Sequence, residues 1–149
     1  MSEAVLRIDG LQTYYGKIHA LRGISLSVQK GQIVTLLGAN GAGKSTTLKT
    51  ISGLVRSAAG KITFLGKDIT TAPPHDIVRM GLIHAPEGRR IFKGLSVQEN
   101  LDLGGFTNAQ DKAGKEHRLQ YIFELFPILF ERRRQDSALL SGGEQQMLA

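Results

Sequence analysis

Residues 38 to 45 combine glycines, a lysine and a serine at a spacing suited to phosphate binding. They fit the pattern G-x-x-x-x-G-K-[ST] at every fixed position. Glycines permit backbone conformations closed to residues with a Cβ, so successive N–H groups can point into one concavity and bind anionic oxygens. In this pattern Lys44 reaches the β- and γ-phosphates of a nucleotide and the Ser45 hydroxyl binds Mg²⁺. The predicted nucleotide contacts are Gly38, Ala39, Asn40, Gly41, Ala42, Gly43, Lys44, Ser45 and Thr46.

The segments on either side of this loop support the interpretation. The apolar run 33–37 predicts a buried strand, and 45–51 predicts a helix whose positive dipole end would face the loop. A glycine-rich turn that binds nothing is the plainer alternative. The strand–loop–helix setting favours nucleotide binding over that alternative.

The rest of the first 94 residues predicts short strands and helices. Strands are expected at 5–8, 24–28, 61–66 and 82–85, the last of them buried. The helix after the loop should end near Gly53, and a short helix is expected at 76–80. Mixed strands and helices around such a loop indicate an α/β core.

After about residue 94 the pattern becomes helical. Ser96 and Glu99 form a capping box, 108–114 is polar and loop-like, and apolar residues recur at helical spacing over 116–131, where Pro127 should divide the helix. The expected division is therefore a core, 1–94, and a helical subdomain, 95–149. The apolar stripe is interpreted as core, with a groove for a partner's helix as the alternative.

Composition limits the class of protein without naming a ligand. The chain has 149 residues, 41% hydrophobic and 21% charged, which is typical of one globular domain. There is no cysteine, no apolar run of membrane-spanning length, and no signal-like sequence at the N-terminus, 1–4, so a cytoplasmic location is expected. The net charge of +6 suits phosphates, anionic lipids or nucleic acid alike. A nucleic-acid binder remains a hypothesis based on charge alone, because no recognition module is visible, and no nucleic-acid partner is expected.

A second motif lies near the C-terminal end of the sequence. Ser141 and Glu144 form a capping box that opens a helix. Gly142 and Gly143 follow the cap and leave the backbone N–H groups bare, as at an anion site. A well-capped helix with no ligand is the alternative.

The segment 140–146 resembles the signature motif of ABC-transporter ATP-binding subunits. Tyr15 and Gly16 match the family too, in which an aromatic residue ahead of the P-loop stacks on adenine. Within the family, the segments 14–21, 38–44, 86–92 and 140–149 are similar to the second ATP-binding subunit of branched-chain amino-acid importers. Closely similar subunits serve urea or amide uptake, and this remains an alternative.

The resemblance implies a P-loop NTPase fold of the ABC ATPase type, with an α-helical subdomain and ATP and Mg²⁺ as cofactors. It implies a head-to-tail dimer with ATP between the P-loop of one subunit and Ser141, Gly142 and Gly143 of the other. Membrane-spanning permease subunits would be the further partners, placing the protein peripherally on the inner face of the cell membrane. Import of branched-chain amino acids would be coupled to ATP binding and hydrolysis.

Two departures from the family pattern affect these implications. Glu87 stands where most relatives carry glutamine; in the family this loop senses the γ-phosphate, and a carboxylate can also ligate Mg²⁺ together with Ser45. The sequence also ends at Ala149 within the signature helix, before the family's further Mg²⁺ and water-positioning residues. We therefore expect a fold incomplete at the C-terminus, and an isolated chain that is nearly inactive and prone to aggregate. A nucleotide-binding module that does not hydrolyse is the alternative.

Overall fold

The computed structural model of the protein describes residues 4–106 and 111–149. It divides into two compact units, Met1–His84 and Ala85–Ala149. The expectation about a signal sequence concerns residues 1–4, of which 1–3 lie outside the described residues. The two units are described in turn.

The first unit contains a four-stranded antiparallel sheet. Its strands are β1 (Ala4–Tyr15), β2 (Ile18–Gln29), β3 (Ala59–Phe64) and β4 (Lys67–Asp68), in the order β2-β1-β3-β4. The strands predicted at 5–8 and 24–28 are confirmed, and that at 61–66 is confirmed up to Phe64. The observed β1 and β2 are far longer than predicted and form one hairpin.

Glycines explain why the hairpin strands were underestimated. Gly10 interrupts the alternating pattern of β1, and the pairing of β1 with β2 changes register between Ile8 and Leu11. Gly60 of β3 approaches this irregularity so closely that a Cβ on it would lie 2.5 Å from the Gly10 carbonyl oxygen. The strands therefore continue through positions that break a two-residue period.

Two helices pack with this sheet. Helix α1 (Lys44–Ile51) follows the glycine-rich loop and ends ahead of Gly53, as predicted, and α2 (Pro74–Arg79) matches the helix expected near 76–80. The buried apolar core of the unit consists of Ile8, Leu11, Leu21, Ile51, Ile62, Phe64, Ile69 and Ile77. Strand and helix residues thus bury one common apolar face.

Two predicted buried strands are absent from the described part of the first unit. Neither 33–37 nor 82–85 forms a strand, and Ile33, Leu37 and Ile83 are 93%, 90% and 69% exposed. A strand needs a neighbour for its backbone N–H and C=O groups, and the four described strands pair only with one another. The apolar composition was identified correctly, but the prediction of paired, buried strands was wrong.

The second unit is helical. It contains α3 (Val97–Gly104), α4 (Lys112–Leu125), α5 (Pro127–Glu131) and α6 (Gly142–Leu148). The predicted division at Pro127 is confirmed, because the chain leaves helical geometry at Phe126, the residue before the proline.

The core of the helical unit accounts for part of the apolar stripe, whereas Phe130 of the stripe is 49% exposed and lines an apolar groove with Leu119 and Phe123. Val97, Leu129, Leu140 and Leu148 are buried, and Ile122, Phe123 and Phe126 of the stripe pack against them. Helix α4 therefore lies with these apolar residues toward the helical unit's own core.

The loop predicted over 108–114 needs correction in the part that the structure describes. Residues 108–110 lie outside the described residues, but 112–114 form the first turn of α4. The carboxylate of Asp111 caps that turn by accepting from the Gly114 N–H at 2.9 Å. Within 4–106 and 111–149, no helix is long and apolar enough to cross a membrane.

Candidate functional site

The glycine-rich loop has the backbone geometry that the sequence predicts. Gly41 and Gly43 have φ angles of +84° and +90°, in the region that side-chain-bearing residues rarely adopt. At Gly43 the close approach to β2 is a second requirement for glycine, because a Cβ there would lie 2.7 Å from Leu21 Cδ2 and 3.1 Å from the Ala20 carbonyl oxygen. The loop is thus seated directly on β2.

Lys44 folds back over this loop. Its ammonium donates hydrogen bonds to the carbonyl oxygens of Gly38 and Ala39, each at 2.8 Å. The Ala42 N–H donates to the Ala39 carbonyl at 3.1 Å and closes a turn inside the loop. The positive charge of Lys44 is therefore held against the loop backbone.

Helix α1 begins within the motif and contributes its N-terminal end. The Thr47 N–H donates to the Gly43 carbonyl at 2.8 Å, the first i to i−4 bond of the helix. The backbone N–H groups of the preceding turn, which contains Ser45 and Thr46, lie at the positive dipole end of the helix. Glycine backbone, helix N-terminus and ammonium together fit a polyphosphate chain.

The metal part of the prediction has less support in the geometry. No group of three or more histidine, aspartate or glutamate side chains suited to a metal ion occurs in 4–106 or 111–149. Mg²⁺ is usually held by few protein ligands together with phosphate oxygens and water. The Ser45 hydroxyl at the start of α1 fits that mode, in which the nucleotide supplies most of the ligands.

Tyr15 lies at the end of β1, on the hairpin beside the loop. It pairs with Ile18 and is 43% exposed. It shares a strand face with Thr13, whose hydroxyl is 3.2 Å from that of Thr50 in α1. Leu21, which touches the loop at Gly43, pairs with Thr13. The accessible ring of Tyr15 therefore lies two residues beyond the part of the hairpin that contacts α1 and the loop.

Tyr14, the neighbouring aromatic residue, has a partner within the hairpin. Its ring stacks on the His19 imidazole with centroids 4.1 Å apart and an interplanar angle of 10°. One face of the Tyr14 ring is therefore already covered by His19. This contrast provides a natural control for any experiment on Tyr15.

The loop containing Glu87 belongs to the second unit and is anchored at its far end. Glu87 is exposed and lies in a turn with Gly88. The buried Asn100 side chain accepts from the Phe92 N–H at 2.8 Å and donates to the carbonyls of Phe92 and Ser96 at 3.1 and 2.9 Å. Ser137, fully buried, also donates to the Phe92 carbonyl at 3.0 Å. This network was not predicted from the sequence, because neither Asn100 nor Ser137 belongs to a recognisable pattern.

The predicted capping box at the start of α6 is confirmed. Ser141 accepts from the Glu144 N–H at 3.4 Å, and the Glu144 carboxylate accepts from the Ser141 N–H at 2.7 Å. The Ser141 N–H, then its hydroxyl and the nearby Arg132 guanidinium, hold the pKa of Glu144 below its ordinary value. Gly142 and Gly143 thus start a helix with a well-defined first turn.

The predicted site residues fall into two groups. Tyr15 and residues 38–46 belong to the first unit, whereas Glu87 and residues 141–143 belong to the second. The shared metal site of Ser45 and Glu87 therefore stays a prediction.

Comparison with known proteins gives a consistent result. A family model described as ABC transporter matches residues 21–149. The chain is 48% identical over 145 residues to the high-affinity branched-chain amino acid transport ATP-binding protein BraG of Pseudomonas aeruginosa, covering 97% of this chain and 61% of that protein. It is 35% identical, with the same coverage, to the probable branched-chain amino acid transport ATP-binding protein LivF of Archaeoglobus fulgidus.

Solved structures show the same similarity. An ATP-binding subunit of an ABC transporter matches with a TM-score of 0.83 and 30% identity, covering 97% of this chain and 59% of that one. A nucleotide-free ATP-binding cassette from an ABC transporter matches with a TM-score of 0.77 and 27% identity, covering 98% and 62%. The chain thus spans about three fifths of the length of the relatives it matches.

Proposed function

The chain belongs to the ABC transporter family, and on that premise we propose that it is an ATP-binding subunit of a branched-chain amino-acid importer. It would couple ATP binding and hydrolysis to uptake of the solute. The main support is the loop at 38–46, where a glycine backbone, a lysine and a helix N-terminus form a phosphate cradle. The solute class is supported by the similarity to BraG, a branched-chain amino acid transport ATP-binding protein, and to LivF, a probable one.

The roles of the first unit follow from its geometry. The loop N–H groups and those at the start of α1 would bind the phosphates, and Lys44 would exchange carbonyl contacts for phosphate oxygens. The Ser45 hydroxyl would ligate Mg²⁺, and the exposed ring of Tyr15 would stack on the adenine. When bound, ATP with Mg²⁺ supplies a phosphoryl group whose transfer to water releases free energy.

The second unit would act on a second ATP-binding subunit. We propose a head-to-tail dimer in which Ser141, Gly142 and Gly143 approach the nucleotide held by the partner's P-loop. Glu87 would sense the γ-phosphate and contribute to the metal site. Membrane-spanning permease subunits would dock on the dimer, which would place the protein on the inner face of the membrane. The helical part that serves these contacts would begin near residue 95.

Hydrolysis by the 149 residues alone is a separate question. We propose that the isolated chain binds nucleotide but is nearly inactive, because the relatives are longer by about two fifths of their length. Joining the corresponding region of BraG to this chain should restore ATP turnover. If turnover stays absent in a folded fusion that binds ATP, a non-hydrolysing nucleotide-binding module becomes the better description.

Equilibrium binding of a fluorescent ATP analogue to the chain and two variants tests the nucleotide site. Lys44→Ala should abolish binding, whereas Lys49→Ala, an exposed lysine of the same helix, should leave the affinity within about twofold. Equal affinity for all three proteins would refute the site. Uptake of labelled leucine and of labelled urea by cells that depend on this subunit would then separate the two solute classes.

A further inference from the structure

The Arg89 side chain lies against the first residue of α6. A Cβ built on Gly142 would be 2.8 Å from Arg89 Nη1, 3.2 Å from Cζ and 3.3 Å from Nη2. All three atoms belong to the planar guanidinium, so its flat surface covers the Gly142 Cα. The same space is open at Gly143, where a Cβ would meet nothing within 4 Å.

The backbone at Arg89 forms a tight turn. Gly88 and Arg89 have φ angles of +86° and +48°, and Arg89 is one of only two non-glycine residues with positive φ in the described part of the chain. The Ile91 N–H donates to the Arg89 carbonyl at 2.6 Å and closes a tight turn. One residue later, Phe92 is fixed by Asn100. A left-handed backbone conformation at a residue with a side chain persists only where the contacts around that residue enforce it.

Arg89 therefore connects two segments that the proposed function uses separately. It is two residues from Glu87 along the chain, and it touches the first turn that Ser141 caps. A movement of the loop at Glu87 would displace the Arg89 guanidinium and so change its contact with Gly142.

We propose that Arg89 is a positioning residue that braces the first turn of α6 against the loop containing Glu87. This inference rests on the proposed function and adds a physical link within one subunit between the loop that senses its nucleotide and the turn that faces the partner's nucleotide. The bracing depends on the flat guanidinium surface.

The experiment compares Arg89→Ala, Arg89→Lys and Arg90→Ala in the complete transporter containing this subunit, reconstituted in liposomes. Arg90→Ala is the matched control, because Arg90 is exposed and its substitution removes the same charge one residue away. Turnover and KM for ATP are measured on the transporter, and the Kd for ATP on the subunit. We expect Arg89→Ala to lower turnover at least tenfold with Kd within twofold, and Arg90→Ala to resemble the parent. Arg89→Lys should behave like Arg89→Ala, since lysine keeps the charge but lacks the planar surface.

Hydrogen exchange provides a readout that does not depend on turnover. Exchange of the amides in residues 142–144 should accelerate in Arg89→Ala and not in Arg90→Ala. The inference is overturned if Arg89→Ala equals Arg90→Ala in turnover and exchange, if Arg89→Lys retains parental turnover, or if Kd rises in step with the loss of turnover. A parent transporter without ATP-dependent uptake would instead refute the proposed function, which keeps the two failures distinguishable.

Discussion

Replacing Gly43 by alanine should destabilise the first unit through two separable effects. The φ of +90° costs a residue with a Cβ about 1–2 kcal/mol. The new methyl group would also lie 2.7 Å from Cδ2 of Leu21, a side chain that is 1% exposed and enclosed in the core. Overpacking of this kind costs about 1–3 kcal/mol, so we expect a total loss of roughly 2–5 kcal/mol.

Gly41→Ala separates the two contributions. Gly41 has a similar φ of +84°, but a Cβ there meets nothing within 4 Å. This variant should therefore lose only the backbone part, about 1–2 kcal/mol. The difference between the two variants measures the contact with Leu21.

A smaller side chain at position 21 tests the contact from the other side. Leu21→Val removes the contacting methyl and should itself cost roughly 1 kcal/mol. In that background the cost of Gly43→Ala should fall toward the cost of Gly41→Ala, and the remaining difference reports the contact with the Ala20 carbonyl oxygen, 3.1 Å from the new Cβ.

Urea unfolding at submicromolar concentration, followed by circular dichroism, is the assay. A difference of 2 kcal/mol corresponds to a midpoint shift of about 1 M for a slope near 2 kcal/mol/M. If Gly43→Ala costs the same with leucine and with valine at position 21, the loop is not seated on β2 as described.

Three further predictions concern other parts of the molecule. Because the folded pKa of Glu144 is lowered, its contribution to stability is complete above its unfolded pKa of about 4.3 and disappears as the pH falls through the folded value. The amides of α6 should be better protected against hydrogen exchange in the parent than in Glu144→Gln at pH 6, and this difference should become smaller as the pH falls to 3. A difference that stays constant over this range would contradict the prediction. Tyr15→Ala should weaken ATP binding roughly five- to hundredfold, from about 1–3 kcal/mol of base stacking, while Tyr14→Ala should not; equal effects in a binding titration would exclude stacking by Tyr15. The exposed apolar residues of 33–37 predict that the isolated chain associates at micromolar concentration, which light scattering against dilution would show, and a scattering mass that stays monomeric would refute it.

The sequence predicted best those features that depend on neighbours along the chain. The capping boxes at Ser96 and Ser141, the division at Pro127 and the positive φ angles at Gly41 and Gly43 all follow from short-range geometry. Each requires only a few residues in a fixed order, so local physics was sufficient.

Features that depend on distant partners were predicted less well. The run 33–37 is apolar enough for a buried strand, but whether it pairs depends on another strand and cannot be predicted from the run alone. Arg89 and Gly142 are in contact although they lie 53 positions apart in the sequence, and no local pattern predicts this contact. The composition of a segment shows whether it favours burial, but whether it forms a buried strand also depends on a second strand that pairs with it.

The carbonyl contacts of Lys44 have a consequence for the proposed binding of nucleotide. Two of the three ammonium donors are already satisfied by the loop itself, so binding of phosphate at this cation would be a ligand exchange. The exchange would replace neutral carbonyl oxygens by charged phosphate oxygens, and hydrogen bonds between charged partners are the stronger ones. On release of the nucleotide, the carbonyl oxygens would accept from the ammonium again, so its donors would stay satisfied. Lys44 therefore has hydrogen-bond partners in its own loop when no nucleotide is bound, and the loop would not have to refold between one binding event and the next.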